Sequence, residues 1–396
     1  MSRQNIAIIH PNMHIIGGSE RLMADLAIGL SKRNFKVSII TGICHPSWLE
    51  EFSSVRASLT VKQLGKRALG SYRFWIRMQS FAQELSRRVD SGTQIVFASG
   101  FPSPYAAQIF RRRHNGRIAC YLHDAPSVLH DRKGIRILPL HWRMFYEIFS
   151  ALHRNSDIGA VRSSDLVIAN SKLTRQVNSQ VYGLEEKDIE VVYPGVFPGR
   201  LLHSPVDMRR IRDHIRGKSA ILFFPNGVQR WRNPSTALKA LKQIADDGML
   251  AIFTGGSAEE VTQFERERQR LKLHEIVWRT REFSPSEVLA VYKSSSLVVS
   301  TPMRDSFGLI PAEALACGIP AIASRASGVS EVLRDGEEIV CVEPGNPEEL
   351  VAAMTRLLHD SESTRKIVKS GQQKVLNYLT IDRFVDETFM KLQRLI

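Results

Sequence analysis

Short, almost purely apolar runs alternate with amphipathic stretches along this chain, and that alternation leaves few folds open. "NIAIIH" (5–10) reads as a strand, and "GSERLMADLAIGLSKRN" then sets Leu22, Met23, Leu26, Ala27 and Leu30 on one helical face before "FKVSIIT" (35–41) returns to strand. Further strands are predicted at "QIVFAS" (94–99), "IACYLH" (118–123), "DLVIAN" (165–170) and "IEVVYP" (189–194). Runs this continuous in apolar residues fit a parallel sheet covered on both faces. "YPGVFPGRLLHSP" (193–205) concentrates proline and glycine, and a second series follows at 220–225, 249–256, 275–279, 296–301, 320–324 and 339–343. The expected fold is α/β: two Rossmann-like doubly wound domains, residues 1–197 and 198–378, with a helix of about 379–396 packing back on the first. Helix starts are marked by "SPSE" (Ser284 as N-cap, Pro285 at N1, Glu287 at N3) and by "NPEE" at 346–349. Paired doubly wound sheets bind ligand opposite the carboxyl ends of their strands, which makes a central cleft between the domains the first expected site.

Composition narrows the class. The 43% hydrophobic and 24% charged content is ordinary for a globular protein, and no uninterrupted apolar run reaches the roughly 18 residues of a membrane span. The opening "MSRQNIAIIHP" reads as a strand rather than a secretion signal. Cys44, Cys120, Cys317 and Cys341 lack metal-ligand spacing and fit reduced thiols, so the expected location is cytoplasmic, or the cytoplasmic face of a membrane. The net charge of +14 is uneven: residues 1–197 hold 26 Lys and Arg against 15 Asp and Glu, a net +11. Such a field attracts phosphates, anionic lipid or nucleic acid.

Two stretches carry candidate chemistry. "HIIGGSER" places Gly17 and Gly18 before a helix, where backbone N–H groups can approach an oxyanion, although a plain tight turn would look the same. "SFGLIPAEALACGIPAIAS" (306–324) reads as a loop, a short helix opened by Pro311, a break at Gly318 and a strand. Glu313 at the start of that helix, eight residues after Asp305, either caps it or reaches a hydroxyl-rich ligand beside a bound phosphate.

Extended to "STPMRDSFGLIPAEALACGIP" (300–320), the stretch resembles the signature of retaining GT-B glycosyltransferases: Ser300, Asp305, Phe307, Gly308, Glu313 and a trailing Gly318-Ile319-Pro320. "PNMHIIGGSERLMADLAIGLSKRNFKVSIIT", "YLHDAP", "LVIANSKLT" and "VVYPGV" look most like the branch of GDP-mannose-dependent transferases that build lipid-linked oligosaccharides. The resemblance implies a nucleotide-sugar donor, GDP-mannose in preference to a UDP-sugar. Glu313 would hold the ribose hydroxyls, and Asp305 would face the transferred sugar. The loop Ser306, Phe307, Gly308 and Leu309 would meet the diphosphate, the backbone N–H groups of Phe307 and Gly308 foremost, together with Gly17 and Gly18. Thr280 and Phe283 of "WRTREFSP" would lie against the base, and His123 of "YLHDAP" near the donor sugar. Asp124 is read as an acceptor orienting its loop, and Asn170 and Ser171 as helix caps.

Two departures from the family pattern stand out. The first acid is normally Glu, whereas Asp305 is a methylene shorter. The family also has Arg at the position of Gly227 and Lys where Arg232 stands, leaving Arg230 and Arg232 to neutralise the diphosphate. With no acidic dyad of metal-binding type, that neutralisation is assigned to arginines, amides and helix dipoles, and neither metal nor cofactor is expected. The implied reaction is transfer with retained configuration to a lipid-linked or polysaccharide hydroxyl, by same-face attack rather than through an agreed nucleophile.

"KQLGKRALGSYRFWIRM" (62–78) interleaves cations with aromatics and "IFRRRHNGR" (109–117) adds four arginines, so the N-terminal domain is expected to touch anionic membrane. A solvated basic helix packing its apolar face on the core is the plainer alternative. A UDP-sugar enzyme with a small acceptor, an enzyme that isomerises or hydrolyses the nucleotide sugar, and a non-catalytic nucleic-acid or anionic-surface binder are the competing functions; nucleic acid is not expected as a partner.

Overall fold

The computed structural model describes residues 4–15, 17–33, 35–65, 72–136 and 140–396. The chain divides into two compact units, Met1–Pro194 with Ile381–Ile396, and Gly195–Thr380.

In the first unit, β1 (Gln4–Ile9), β2 (Phe35–Thr41), β3 (Leu59–Gln63), β4 (Ile95–Ser99), β5 (Arg117–Leu122), β6 (Leu166–Ala169) and β7 (Ile189–Val191) form one sheet in the order β3-β2-β1-β4-β5-β6-β7. All pairings are parallel, with Ile6 opposite Ile95 and Ile8 opposite Phe97 across the central pair. Alternate residues of β1 serve two cores: Ala7 and Ile9 join one apolar cluster, Ile6 and Ile8 another on the opposite face. That explains the unbroken apolar runs, since no face is left for polar residues. The strand β3, "LTVKQ", was not anticipated; it is an edge strand whose Thr60 is exposed, so it lacks the all-apolar pattern.

Covering this sheet are α1 (Gly18–Ser31), α2 (Tyr72–Ile76), α3 (Ser103–Arg111), α4 (Arg132–Arg136), α5 (Leu140–Arg162) and α6 (Lys172–Tyr182). The basic-aromatic segment places its rings inward in part. Phe74 and Trp75 are buried in the core, Lys62 pairs with Asp90 at 2.6 Å, and residues 66–71 lie outside the described residues. In the second basic run, Ile109 and Phe110 are buried, while Arg111 and Arg117 both pair with Asp165. No described helix is long and apolar enough to cross a membrane.

The second unit repeats the plan. Its strands β8 (Ala220–Phe224), β9 (Met249–Phe253), β10 (Val277–Arg279), β11 (Leu297–Ser300), β12 (Ala321–Ser324) and β13 (Val340–Val342) run parallel in the order β10-β9-β8-β11-β12-β13. Its principal helices are α7 (Pro234–Ile244), α8 (Pro285–Ser294), α9 (Leu309–Ala316) and α10 (Pro347–His359). Ser284 and Glu287 close a reciprocal capping box on α8, and Asn346 accepts from the Glu349 N–H on α10. The helix α9 begins at Leu309, two residues before the expected start at Pro311, behind Gly308 in the left-handed region at φ 85°. The order reverses between β1 and β4, and between β8 and β11, which sets one switch point in each sheet.

The terminal helix α11 (Ile381–Gln393) belongs to the first unit and lays Phe384, Val385 and Leu392 into its core. Phe389 meets Phe35 edge-on at 5.8 Å, and Arg33 pairs with Asp386 at 2.7 Å. A glycine in α1 permits this approach, because a Cβ on Gly29 would stand 2.5 and 2.7 Å from the methyls of Val385. Gly29→Ala would gain about 0.5–1 kcal/mol in helix propensity but lose about 1–3 kcal/mol to overpacking against a branched, rigid neighbour. The expected outcome is a lower thermal midpoint for Gly29→Ala, partly restored in Gly29→Ala/Val385→Ala.

Candidate active site

The carboxyl ends at the second unit's switch point gather most of the expected donor-side residues. Arg232 leaves a 3-10 turn after β8, and its Nη1 donates to Ser300 Oγ at 2.8 Å and to Asp305 Oδ2 at 3.1 Å. Their side chains are 10% and 14% exposed for Arg232 and Asp305, so the ion pair is largely shielded from solvent. Burial pushes the Asp305 carboxyl above its ordinary range, against Arg232 and the backbone N–H groups of Phe307 and Ser306, which it accepts. Burial likewise lowers Arg232, against the opposing pull of Asp305, Tyr292 and Glu313. The Phe307 amide expected to meet a diphosphate instead donates to Asp305.

Glu313 is the fifth residue of α9 and does not cap it. The Tyr292 hydroxyl on α8 donates to Glu313 Oε2 at 3.0 Å, and burial followed by that carboxylate holds the phenol proton firmly. Tyr292 thus fixes the carboxylate on a rigid helix. Gly308 and Leu309 bracket the start of α9, and Ser306 is partly buried in the loop before it.

Arg230 is not brought to this cluster. Its side chain is exposed, and its backbone N–H donates to Glu260 at 2.8 Å. Gly227 is enclosed: a Cβ there would meet Phe224 Cβ and Phe253 Cδ1 at 2.8 Å and the Phe224 carbonyl at 2.9 Å. Phe224 and Phe253 stack 4.2 Å apart with nearly parallel rings, occupying the room a side chain at 227 would need. A small pocket lined by Gly227, Arg232, Ser300 and Thr301 adjoins this stack. Thr280 and Phe283, expected near a base, are tied together by Arg210, which donates to Thr280 Oγ1 at 3.0 Å, pairs with Glu287 and lies 5.0 Å over the Phe283 ring. Arg210 and Tyr292 escaped the sequence reading because both lie in otherwise ordinary helical or loop contexts.

The first unit presents its own cluster. His123, just after β5, has Nε2 3.3 Å from Ser99 Oγ, and the Asn170 amide lies 3.3 Å from Nδ1. Asn178 holds the His123 carbonyl at 2.9 Å. Asn170 therefore addresses the histidine instead of capping α6, a task left to Ser171, which accepts from Thr174 N–H. Asp124 is exposed in the following loop.

His10, at the end of β1, donates through Nδ1 to the Ser99 carbonyl at 3.0 Å and turns Nε2 toward Glu20 at 3.7 Å, with both side chains under 10% exposed. Burial raises the Glu20 carboxyl, but His10, Ser19 and its own backbone N–H outweigh it and leave Glu20 acidic. Glu20 also explains one glycine: a Cβ on Gly17 would lie 2.4 Å from its Oε2, whereas a Cβ on Gly18 would meet nothing within 4 Å. The N-terminal end of α1 thus carries an internal carboxylate beside the two glycines. His10, Glu20 and Ser99 were missed; His10 next to a proline and a glutamate after GG-Ser were the available signals.

Burial first, and His10 second, lower the His123 pKa from 6.5 to about 4. The unfolded chain then binds this proton more readily than the native one, so the contribution of neutral His123 is complete above pH 6.5 and lost as pH falls from 6.5 to 4. Wild-type unfolding free energy is expected to drop by about 3 kcal/mol more than that of His123→Asn across this window, measured by denaturant titration at each pH. Gly227→Arg, meant to restore the family's cation, is expected to lower the thermal midpoint through a clash of about 1–3 kcal/mol and not to raise turnover.

A family model described as Glycosyltransferase Family 4 matches residues 16–200, and one described as Glycosyl transferases group 1 matches residues 208–374. The chain is 23% identical over 424 residues to alpha-1,3/1,6-mannosyltransferase ALG2 of Homo sapiens, covering 100% of this chain and 97% of that protein. It is 26% identical over 218 residues to D-inositol 3-phosphate glycosyltransferase of Segniliparus rotundus, covering 53% of this chain and 48% of that protein. Among solved structures, sucrose-phosphate synthase from Thermosynechococcus elongatus superposes with a TM-score of 0.78 at 18% identity, covering 99% of each chain. Anabaena HepE in complex with UDP-glucose gives 0.77 at 18% identity, covering 98% of this chain and 99% of that one. The two family models take in the body of both units, and with these architectures the chain belongs to the GT-B glycosyltransferases, a hexosyltransferase with a family 4 N-terminal half and a group 1 C-terminal half.

Proposed function

We propose that this enzyme transfers mannose from GDP-mannose, with retention of anomeric configuration, to a hydroxyl of a lipid-linked or polysaccharide acceptor. The observation that carries the reading is the cluster of Arg232, Ser300 and Asp305 beside the Tyr292-fixed Glu313, at the carboxyl ends of the strands flanking a switch point. Full-length similarity to a mannosyltransferase favours mannose over the glucose of UDP-glucose.

In this reading Glu313 accepts from the ribose hydroxyls, and Arg232 exchanges Asp305 for the donor diphosphate. The acceptor oxygen then bonds to C1 on the face the diphosphate leaves. The C1–O bond breaks with its electron pair on the departing diphosphate, and a phosphate oxygen takes the acceptor proton. His123, neutral at physiological pH, offers a hydrogen bond to the donor sugar without adding charge.

A thermal-shift panel tests the donor. GDP-mannose at about 100 times its dissociation constant should stabilise the enzyme by about 2.7 kcal/mol. A response to UDP-glucose with none to GDP-mannose would overturn the mannose reading, and a product of inverted anomeric configuration by proton NMR would overturn retention. Glu313→Gln keeps an acceptor for Tyr292 but loses the charge, and should lower kcat/KM by about 10- to 100-fold with the fold intact. Unchanged turnover would remove Glu313 from the site.

A further inference from the structure

The outward face of α5 carries an apolar stripe that is left exposed among the described residues. Leu140, Met144, Ile148 and Leu152 are 70%, 55%, 60% and 67% exposed. Their four-residue spacing keeps them on one side of the helix over about 18 Å. The opposite side is anchored: Trp75 of α2 meets Tyr146 at 6.1 Å and Phe149 at 5.1 Å. Ile76, next to Trp75, is itself 74% exposed. Single exposed leucines are ordinary, but a continuous row of large ones on an otherwise amphipathic helix marks a contact surface.

The charge around the stripe selects the partner. Residues 132–156 contain five Arg and Lys and one carboxylate, Glu147, which Arg143 already engages at 3.0 Å. Arg132 and Arg136 are exposed on α4, which packs on α5, and exposed Arg77 follows Ile76. Apolar side chains in a row with cations around them match an anionic bilayer, where the former enter the boundary between headgroups and acyl chains and the latter meet lipid phosphates. We propose that this face of α5 docks the enzyme on an anionic membrane surface. The surface is built of residues apart from those assigned to transfer, and the proposal does not depend on the donor or the acceptor.

The test is co-sedimentation of the full chain with phosphatidylcholine vesicles, with and without phosphatidylglycerol. Wild type should bind the phosphatidylglycerol vesicles and lose binding as salt shortens the Debye length to about 8 Å and below. Ile148→Glu/Leu152→Glu should weaken binding by at least about tenfold, with an unchanged thermal midpoint because both positions are exposed. Leu140→Ser/Met144→Ser serves as a second variant should the first fold poorly, with the same loss expected. Equal binding by wild type and a folded variant would overturn the proposal, as would no binding by wild type at low salt. A concentration-dependent dimer, dissolved by the same substitutions and without vesicle affinity, would assign the stripe to a second copy of the chain and overturn it too.

Discussion

The arrangement of the cluster in the second unit depends on Arg232 and Asp305 sharing a nearly closed space. Taking two such charges out of water costs several kcal/mol for each ion, and their attraction offsets this only when further hydrogen bonds complete both groups. Here they do so for Asp305, to which the Ser306 and Phe307 amides donate, and in part for Arg232, whose Nη1 donates to Ser300 Oγ while its buried Nε has no partner among the described residues. The same contacts shape the loop, since aiming two successive amides at Asp305 leads the chain into the left-handed turn at Gly308 and so into α9. Glu313 inherits its place from that start. On the proposed reading, a diphosphate entering the site finds Arg232 already neutralised and must displace a carboxylate to reach it, and burial readies Asp305 to take up a proton once the guanidinium turns away.

The absent cation at Gly227 follows from packing in the sheet rather than from the loop. Phe224 ends β8 and Phe253 ends β9, adjacent strands in register, and their rings stack across the point where a residue at 227 would project. Two phenyl rings there bury more apolar surface than smaller residues would, at roughly 25 cal/mol per Å², and the cost is the room for a long cationic side chain. The core and the site thus compete for one volume. Arg232, held against Trp231 at 3.9 Å, is the arginine hydrogen-bonded to Asp305 in this cluster, while the Arg230 side chain is exposed.

Fold was legible wherever both faces of a strand are buried. Twelve of the thirteen strands are anticipated by their apolar runs, whereas β3, "LTVKQ", buries only Leu59 fully and carries polar residues at three of its five positions. The capping residues Ser284 and Asn346 were legible because a cap is a contact three residues long. What the sequence hides is contact between distant elements. Nothing local to Asn170 says that its amide meets His123, 47 positions away, or that Arg210 joins Thr280 and Glu287, 70 and 77 positions on. Asp305 was visible as a shortened acid, yet its turn toward Ser306 and Phe307 depends on Arg232 arriving from another loop.

Charge shows the same limit in another form. The excess of cations in the first half can be counted from the sequence, but its effect depends on which of them remain unpaired at a surface. Lys62, Arg111 and Arg117 are engaged by Asp90 and Asp165, carboxylates from other segments of the chain, and the aromatics beside them, Phe74, Trp75 and Phe110, are spent on the core. Alternating basic and aromatic residues in a segment cannot distinguish an interfacial helix from one whose rings face inward, because both satisfy the same amphipathic period. In α5 the two faces are both apolar, one of aromatic rings and one of aliphatic side chains, and a helix apolar on two sides exceeds what a single core can cover. The surplus face, and not the basic count, is what makes the location of this enzyme a question of surface chemistry.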